Sequence, residues 1–209
     1  SFFPMQWIIK KLFIMFVFIT TLNINQSSVF ATNNNSFDDY GIISIMYHRF
    51  NESKYPSTNI QLDVFKKQLE IIEKKGLKFV NPKDFNQSLS KNKKERKILL
   101  TIDDGLSSFY ENAWPILKEK EIPFILFVNT REVGAFNYMN WSQILELHKS
   151  DNVEIGNHSH SHEYLVDEDP EIIKKDIEKS IKIFKEKLGN NSEFFSYPFG
   201  EYSLEFKKI

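Results

Sequence analysis

Ile98-Leu99-Leu100-Thr101-Ile102-Asp103-Asp104-Gly105 is the stretch on which the fold turns. A short apolar run of strand length ends in two adjacent carboxylates and a glycine. In parallel α/β barrels the working site forms at the carboxyl ends of the strands, which is where this run becomes polar.

Outward from that run the pattern alternates. Ile42 to Tyr47 reads as a buried strand ending in polar His48 and Arg49. Gln61 to Lys75 carries Phe65, Leu69 and Ile72 on one face and stops at Gly76, which predicts a helix. Lys78 to Val80 predicts a short strand, and Lys97 to Ile102 a stronger one. Ser107 to Glu121 reads as a helix that Pro115 kinks. Phe124 to Val128 and Val153 to Gly156 read as strands, with a helix over Met139 to Lys149 between them. Pro170 to Leu188 predicts a long helix with Ile173, Ile177, Ile181, Phe184 and Leu188 along one stripe. Phe194 to Tyr197 reads as a last strand. Strands separated by helices imply parallel pairing and an α/β fold. His48, Asp103, Asp104, Asn129, His158 and Pro198 all fall where strands end.

The chemistry sits in two clusters. Asp103 and Asp104 leave a strand into a glycine turn, where both side chains can reach one cavity. One can bind a metal while the other stays free as a base. Taken alone, Asp-Asp-Gly also fits an ordinary turn with an aspartate capping the next helix. The second cluster is His158-Ser159-His160-Ser161-His162, three of the five histidines in the chain. A spacing of four puts His158 and His162 on one face of a helical turn, with His160 pointing away from them. A third reading makes His160 a ligand, and the plainest makes the segment an exposed polar loop. One aspartate and two histidines form a divalent-metal set with room left for water. With the second aspartate as base, they suggest a metal-assisted hydrolase. Trp141, in Asn140-Trp141-Ser142, fits either a sugar-stacking role or a core position at a helix start.

Composition narrows the classes. The chain has 209 residues, 41% of them hydrophobic and 15% aromatic, enough for one globular core. The net charge is −1, with no strongly basic block, so nucleic acid is not an expected partner. There is no cysteine, which excludes thiolate metal sites and cysteine nucleophiles. At the N-terminus, Lys10 and Lys11 precede an apolar run from Leu12 to Leu22, and then Val29-Phe30-Ala31. This is the three-part pattern of a secretory signal cut after Ala31. The other reading is an uncleaved anchor using Trp7 to Leu22, which would touch the membrane. Residues 1–31 are therefore expected to be a signal peptide or anchor, 32–40 a linker, and 41–209 the globular domain. The lysine-rich run Lys91 to Lys97 reads as a solvated loop.

Thr101-Ile102-Asp103-Asp104-Gly105, then His158 to His162, then Tyr197-Pro198-Phe199-Gly200 resemble motifs one to three of the polysaccharide deacetylases. This is the NodB-homology group, carbohydrate esterase family 4. Met46-Tyr47-His48-Arg49 resembles the first strand of exported members. Tyr197-Pro198-Phe199-Gly200 is most similar to members acting on poly-β-1,6-N-acetylglucosamine. The resemblance implies a distorted (β/α) barrel. It implies Asp103 as general base and Asp104, His158 and His162 as metal ligands. It places Tyr197, Pro198 and Phe199 against the substrate and its oxyanion. His48, by its place at the end of the first strand, and Trp141, by its aromatic ring, are read as further substrate-facing residues. Zinc is the default ion, and cobalt, nickel or iron suit the same ligands.

There are two departures from the family pattern. The arginine that orients the base in motif three is absent, and Ser196-Tyr197 precede the proline instead. The later motifs, including a Leu-x-His histidine serving as general acid, have no counterpart before Ile209. A barrel incomplete at its C-terminus is therefore expected. The expected activity is removal of N-acetyl groups from an N-acetylglucosamine polysaccharide by a secreted, periplasmic or cell-surface monomer. Three rivals remain: an O-acetyl esterase on xylan or peptidoglycan, a non-catalytic carbohydrate-binding module on the same scaffold, and an unrelated secreted metal-binding protein.

Overall fold

A computed structural model describes residues 41–91 and 95–209. The expected signal or anchor, the linker and residues 92–94 of the lysine-rich run lie outside the described residues. In chain order the elements are β1 (Gly41–Tyr47), β2 (Arg49–Phe50), β3 (Asn59–Ile60), α1 (Leu62–Lys74), β4 (Lys78–Phe79) and α2 (Phe85–Lys91). They continue with β5 (Arg96–Ile102), α3 (Trp114–Glu119), β6 (Phe124–Val128), α4 (Trp141–His148), β7 (Val153–Asn157), α5 (Pro170–Leu188) and α6 (Leu204–Lys208).

Local chemistry explains the ends of the helices. α1 buries Phe65, Leu69 and Ile72, spaced as one helical face requires, and Gly76 follows it at φ +67°. α4 opens with a reciprocal cap. Asn140 accepts the Gln143 N–H at 3.0 Å, and the Gln143 side chain accepts the Asn140 N–H at 2.9 Å. α5 starts at Pro170, with the Asp169 carboxylate accepting the Glu171 N–H at 2.9 Å, and ends at Gly189 with φ +83°.

The strands form a mostly parallel α/β sheet. β1 pairs along its whole length with β5, from Gly41 opposite Arg96 to Tyr47 opposite Ile102. The other edge of β5 is shared, with β4 opposite Lys97 and Ile98 and β6 opposite Thr101 and Ile102. β7 pairs with β6 from Val153 opposite Phe124 to Asn157 opposite Val128. The sheet does not close into a barrel among the described residues. β2 and β3 form a separate short parallel ribbon.

Alternation along the strands divides the molecule. Leu100, Ile102, Leu126, Val128 and Ile155 face Phe65 and Leu69 of α1, Trp114 and Leu117 of α3, Leu147 of α4 and Phe184 of α5 in one large core. Leu99, Ile125 and Phe127 face the opposite side, in a small cluster with Val80. Gly156 lies on that inner side, where a Cβ would come within 2.3 Å of the Phe127 ring. Only glycine fits there.

Two expected elements are corrected. Ser107 to Glu121 is not one kinked helix. Phe109–Ala113 forms a wide π turn, in which the Trp114 N–H reaches the Phe109 carbonyl, and α3 starts only at Trp114. Pro115 cannot donate to a preceding turn, so it sits in the first turn of the new helix. Phe194 to Tyr197 is not a full strand. It pairs with β7 at a single bridge, Phe195 opposite Asn157, before Pro198 ends the extended stretch.

Candidate active site

The site stands at the carboxyl ends of β5, β6 and β7. The Asp103 N–H donates to the Tyr47 carbonyl at 2.9 Å, prolonging the β1–β5 pairing by one bond. Asp103 thus keeps the inward direction of Leu99 and Thr101. Asp104 would point outward on a regular strand. Instead it and Gly105 adopt left-handed backbone, at φ +75° and +68°, and the turn swings its carboxylate to the inner side.

Two histidines meet Asp104 there. His162 Nε2 lies 3.3 Å from Asp104 Oδ1 and His158 Nε2 lies 3.6 Å from it. One ligand atom from each of the three residues falls within 4.8 Å of the others. The expected helical turn is not what brings the histidines together. Residues 158–162 form an irregular loop with Ser159 at φ +69° and His162 at φ +54°, and this reversal puts the two rings 4.8 Å apart. His160 turns away, its Nδ1 2.8 Å from Thr130 Oγ1.

The electrostatics of the cluster are unusual. His158 is 2% exposed, and burial lowers it to about 4, against the hydrogen bond to Ser196. Its Nδ1 lies 2.8 Å from the Ser196 carbonyl, which can only accept, so Nδ1 carries the proton and Nε2 presents a lone pair. That lone pair faces the Asp104 carboxylate, an acceptor facing an acceptor. Asp103 Oδ1 and Asp104 Oδ1 are both buried without a hydrogen-bond donor. A cation between these groups resolves the conflict, so the residues fit a divalent metal held by Asp104, His158 and His162. Asp103 lies beside them, its Oδ2 3.8 Å from His158 Nε2. Burial, and then the Asp104 charge, push the Asp103 carboxyl up to about 7, while a hydrogen bond from Ser196 Oγ at 3.5 Å works the other way.

The family profile described as Polysaccharide deacetylase matches residues 90–209. The chain belongs to the polysaccharide deacetylase family. It is 27% identical over 150 residues to a poly-β-1,6-N-acetyl-D-glucosamine N-deacetylase of Staphylococcus epidermidis, covering 65% of this chain and 52% of that one. The Staphylococcus aureus (strain MSSA476) enzyme of the same name is 26% identical over 194 residues, covering 86% and 67%. The chain thus spans about half to two thirds of the length of these curated relatives. Among solved structures, IcaB from Ammonifex degensii superposes with a TM-score of 0.73 at 26% identity, covering 81% of this chain and 78% of that one. The Streptococcus pyogenes deacetylase PplD shares the fold, with a TM-score of 0.71 at 24% identity, covering 80% and 77%.

For this deacetylase-family chain, the remaining expected residues divide. His48, at the end of β1, is lowered mainly by burial and feels the charges of Asp104 and His162. Phe199 stands over the His162 ring with centroids 5.0 Å apart and is held at φ +61°. Pro198 is buried, and the Tyr197 ring packs into a satellite cluster with Phe195 and Phe206. Trp141 does not join the site. It opens α4 and, partly buried, packs edge-on against Phe184 of the main core, 6.4 Å between centroids. Three residues near the site were not read from sequence as part of it. Ser196 touches both Asp103 and His158, through a hydroxyl and a carbonyl that carry no motif. Tyr138 feels Asp104, though burial raises it more. Asn129 was legible only as a strand-end polar residue. It shares the inner parity of Ile125 and Phe127, and its Oδ1 is buried without a partner.

Proposed function

We propose that this chain is a metal-dependent hydrolase that removes N-acetyl groups from a polysaccharide containing N-acetylglucosamine. The observation that carries this reading is the approach of two imidazole Nε2 atoms to one Asp104 oxygen, with a second buried carboxyl alongside. A divalent ion held by Asp104, His158 and His162, zinc by default, would polarise the acetyl carbonyl and ease loss of a proton from water. Asp103, buried beside the ligand set and outside it, takes that proton as general base. Ser196 holds the Asp103 carboxylate by its hydroxyl and the His158 ring by its carbonyl. The amine nitrogen leaves with a proton as the C–N bond breaks. His48, at the end of β1, is the first candidate donor within these residues once it has itself taken up a proton, since burial favours its neutral form. Backbone around Tyr197 to Phe199 borders the position of the developing oxyanion.

The named activity of the staphylococcal relatives supports a poly-β-1,6-linked substrate. The Lys10-Lys11, Leu12 to Leu22 and Val29-Phe30-Ala31 pattern supports export. Among the described residues no helix is long and apolar enough to cross a membrane. The test is acetate release from β-1,6-N-acetylglucosamine oligomers by protein stripped of metal and then reloaded with zinc, cobalt, nickel or iron. O-acetylated xylan and peptidoglycan serve as competing substrates. Turnover on the N-acetyl oligomers that is lost on stripping and restored on reloading is the expected result. Faster release from the O-acetyl substrates, or sugar binding without acetate release, would replace this reading with one of its rivals.

A further inference from the structure

His158 and His162 are held in different ways. His158 extends directly from β7, its N–H donating to the Val128 carbonyl at 3.0 Å and its ring fixed by Ser196. His162 stands at the far end of a loop whose backbone visits the left-handed region twice, at Ser159 and at His162 itself. Non-glycine residues rarely adopt that region unless the surroundings impose it.

What imposes it here comes largely from one helix. Asp176, on α5, accepts the His160 N–H at 2.8 Å and the Ser161 N–H at 3.1 Å. One turn along the same helix, buried Ser180 accepts from Asn157 Nδ2 at 2.9 Å, while Asn157 Oδ1 accepts the Ser159 N–H at 3.0 Å. On the opposite side, the loop carbonyls of Ser159 and His160 accept the N–H groups of Thr130 and Arg131 at 3.3 and 3.0 Å. The loop is therefore gripped by its N–H groups from α5 and by its carbonyls from the end of β6. Of these grips only the one at Asp176 bears a formal charge, and hydrogen bonds to a charged acceptor are the stronger kind.

We infer that Asp176 is a positioning residue for the metal-binding histidines: by holding the His160 and Ser161 N–H groups it fixes the loop that aims His162 at Asp104. The inference rests on the metal reading of Asp104, His158 and His162. Asp176 makes no contact with those three side chains and acts only through the backbone. His160, whose ring faces Thr130, serves as an anchor in this loop through its peptide group.

The experiment uses the full chain, with zinc affinity measured by chelator competition and amide exchange followed at His160 and Ser161 in metal-free protein. Asp176→Ala should weaken zinc binding by about 10–100-fold, as loss of an outer partner of a metal ligand typically does. It should also speed exchange at those two amides. Asp176→Asn keeps an acceptor oxygen and should recover part of both. Asp169→Ala is the control, because it removes the N-cap of the same helix without touching the loop. If Asp169→Ala weakens zinc as much as Asp176→Ala does, the effect travels through helix stability and the clamp is overturned. Zinc affinity unchanged in Asp176→Ala overturns the clamp alone. Failure of the unaltered protein to bind any divalent ion overturns the metal reading beneath it, while the exchange measurement still reports whether Asp176 holds the loop.

Discussion

The two faces of β5, β6 and β7 are made by the same strands and do opposite work. On the helix side, Leu100, Ile102, Leu126 and Val128 are fully buried beneath α1, α3, α4 and α5. On the inner side Val80, Leu99, Ile125 and Phe127 form a small buried cluster among the described residues, and the same parity then continues into Asp103, Asn129 and His158. One face supplies the apolar burial that stabilises the fold. The other gives up apolar side chains at the strand ends to hold buried polar and charged groups, which are unfavourable without a counter-ion. Stability and chemistry are thus separated by the two-residue period of a strand, and substitutions on either face should be separable too.

The largest expected effect lies on the inner face. Asp103→Asn should lower acetate release by about 10²–10⁴-fold, the usual worth of a general base, and leave zinc affinity intact. Asp104→Asn should instead weaken zinc binding itself, because a charged ligand becomes neutral. Equal loss of zinc in both variants would mean that base and ligand have been exchanged.

On the helix face, Leu126→Ala removes a fully buried side chain and should cost about 2–5 kcal/mol of unfolding free energy in urea. Zinc affinity of the folded fraction should not change. A parallel fall in affinity would break the separation of the two faces.

Gly156→Ala sharpens the comparison where the faces come closest. The new methyl meets the Phe127 ring, which itself abuts His158 with centroids 6.4 Å apart. A cost of about 1–3 kcal/mol is expected from overpacking, together with weaker zinc binding. Adding Phe127→Leu should relieve both, and a thermal melt with a zinc titration reads the pair.

The smallest effect is a matter of pH. In metal-free protein, Asp103 is raised to about 7, so the fold keeps a proton that the unfolded chain has lost. Its contribution to stability therefore falls as pH rises from about 4 to 7. His158 is lowered to about 4, so the unfolded chain holds a proton that the fold lacks, and its contribution rises from about pH 4 to 6.5. The two slopes oppose each other. Asp103→Asn removes the falling one, so the Tm of that variant should climb more steeply over about pH 4.5–6.5 than that of the unaltered protein. Identical slopes would mean that Asp103 is ionised in the fold throughout.

Much of this was legible from residues alone. Alternating apolar runs and periodic stripes mark β5, β6, β7 and α5, because burial on a strand or a helix face leaves a period in the sequence. Asp103, Asp104, His158 and His162 stand out by residue type and by their place at strand ends. The path that joins the histidines did not stand out. A spacing of four suggested a helical turn, whereas positive φ at Ser159 and His162 makes the approach, and no side-chain pattern encodes those angles. Trp141 was ambiguous for a related reason, since an aromatic at a helix start serves a core or a sugar equally well until its neighbours are known.

Sequence by itself determined the α/β class and most of the order of the elements, and it marked Asp103, Asp104, His158 and His162 as candidates, because each follows from local periodicity or from the chemistry of a side chain. Tertiary structure alone decided how Asp104 and His162 reach one point, how Ser196 touches Asp103 and His158 together, and how Asp176 grips a loop 16 residues before it. Those features depend on hydrogen bonds between backbone groups and residues distant in the chain, and every residue carries the same backbone groups, so composition and spacing leave no trace of which ones meet.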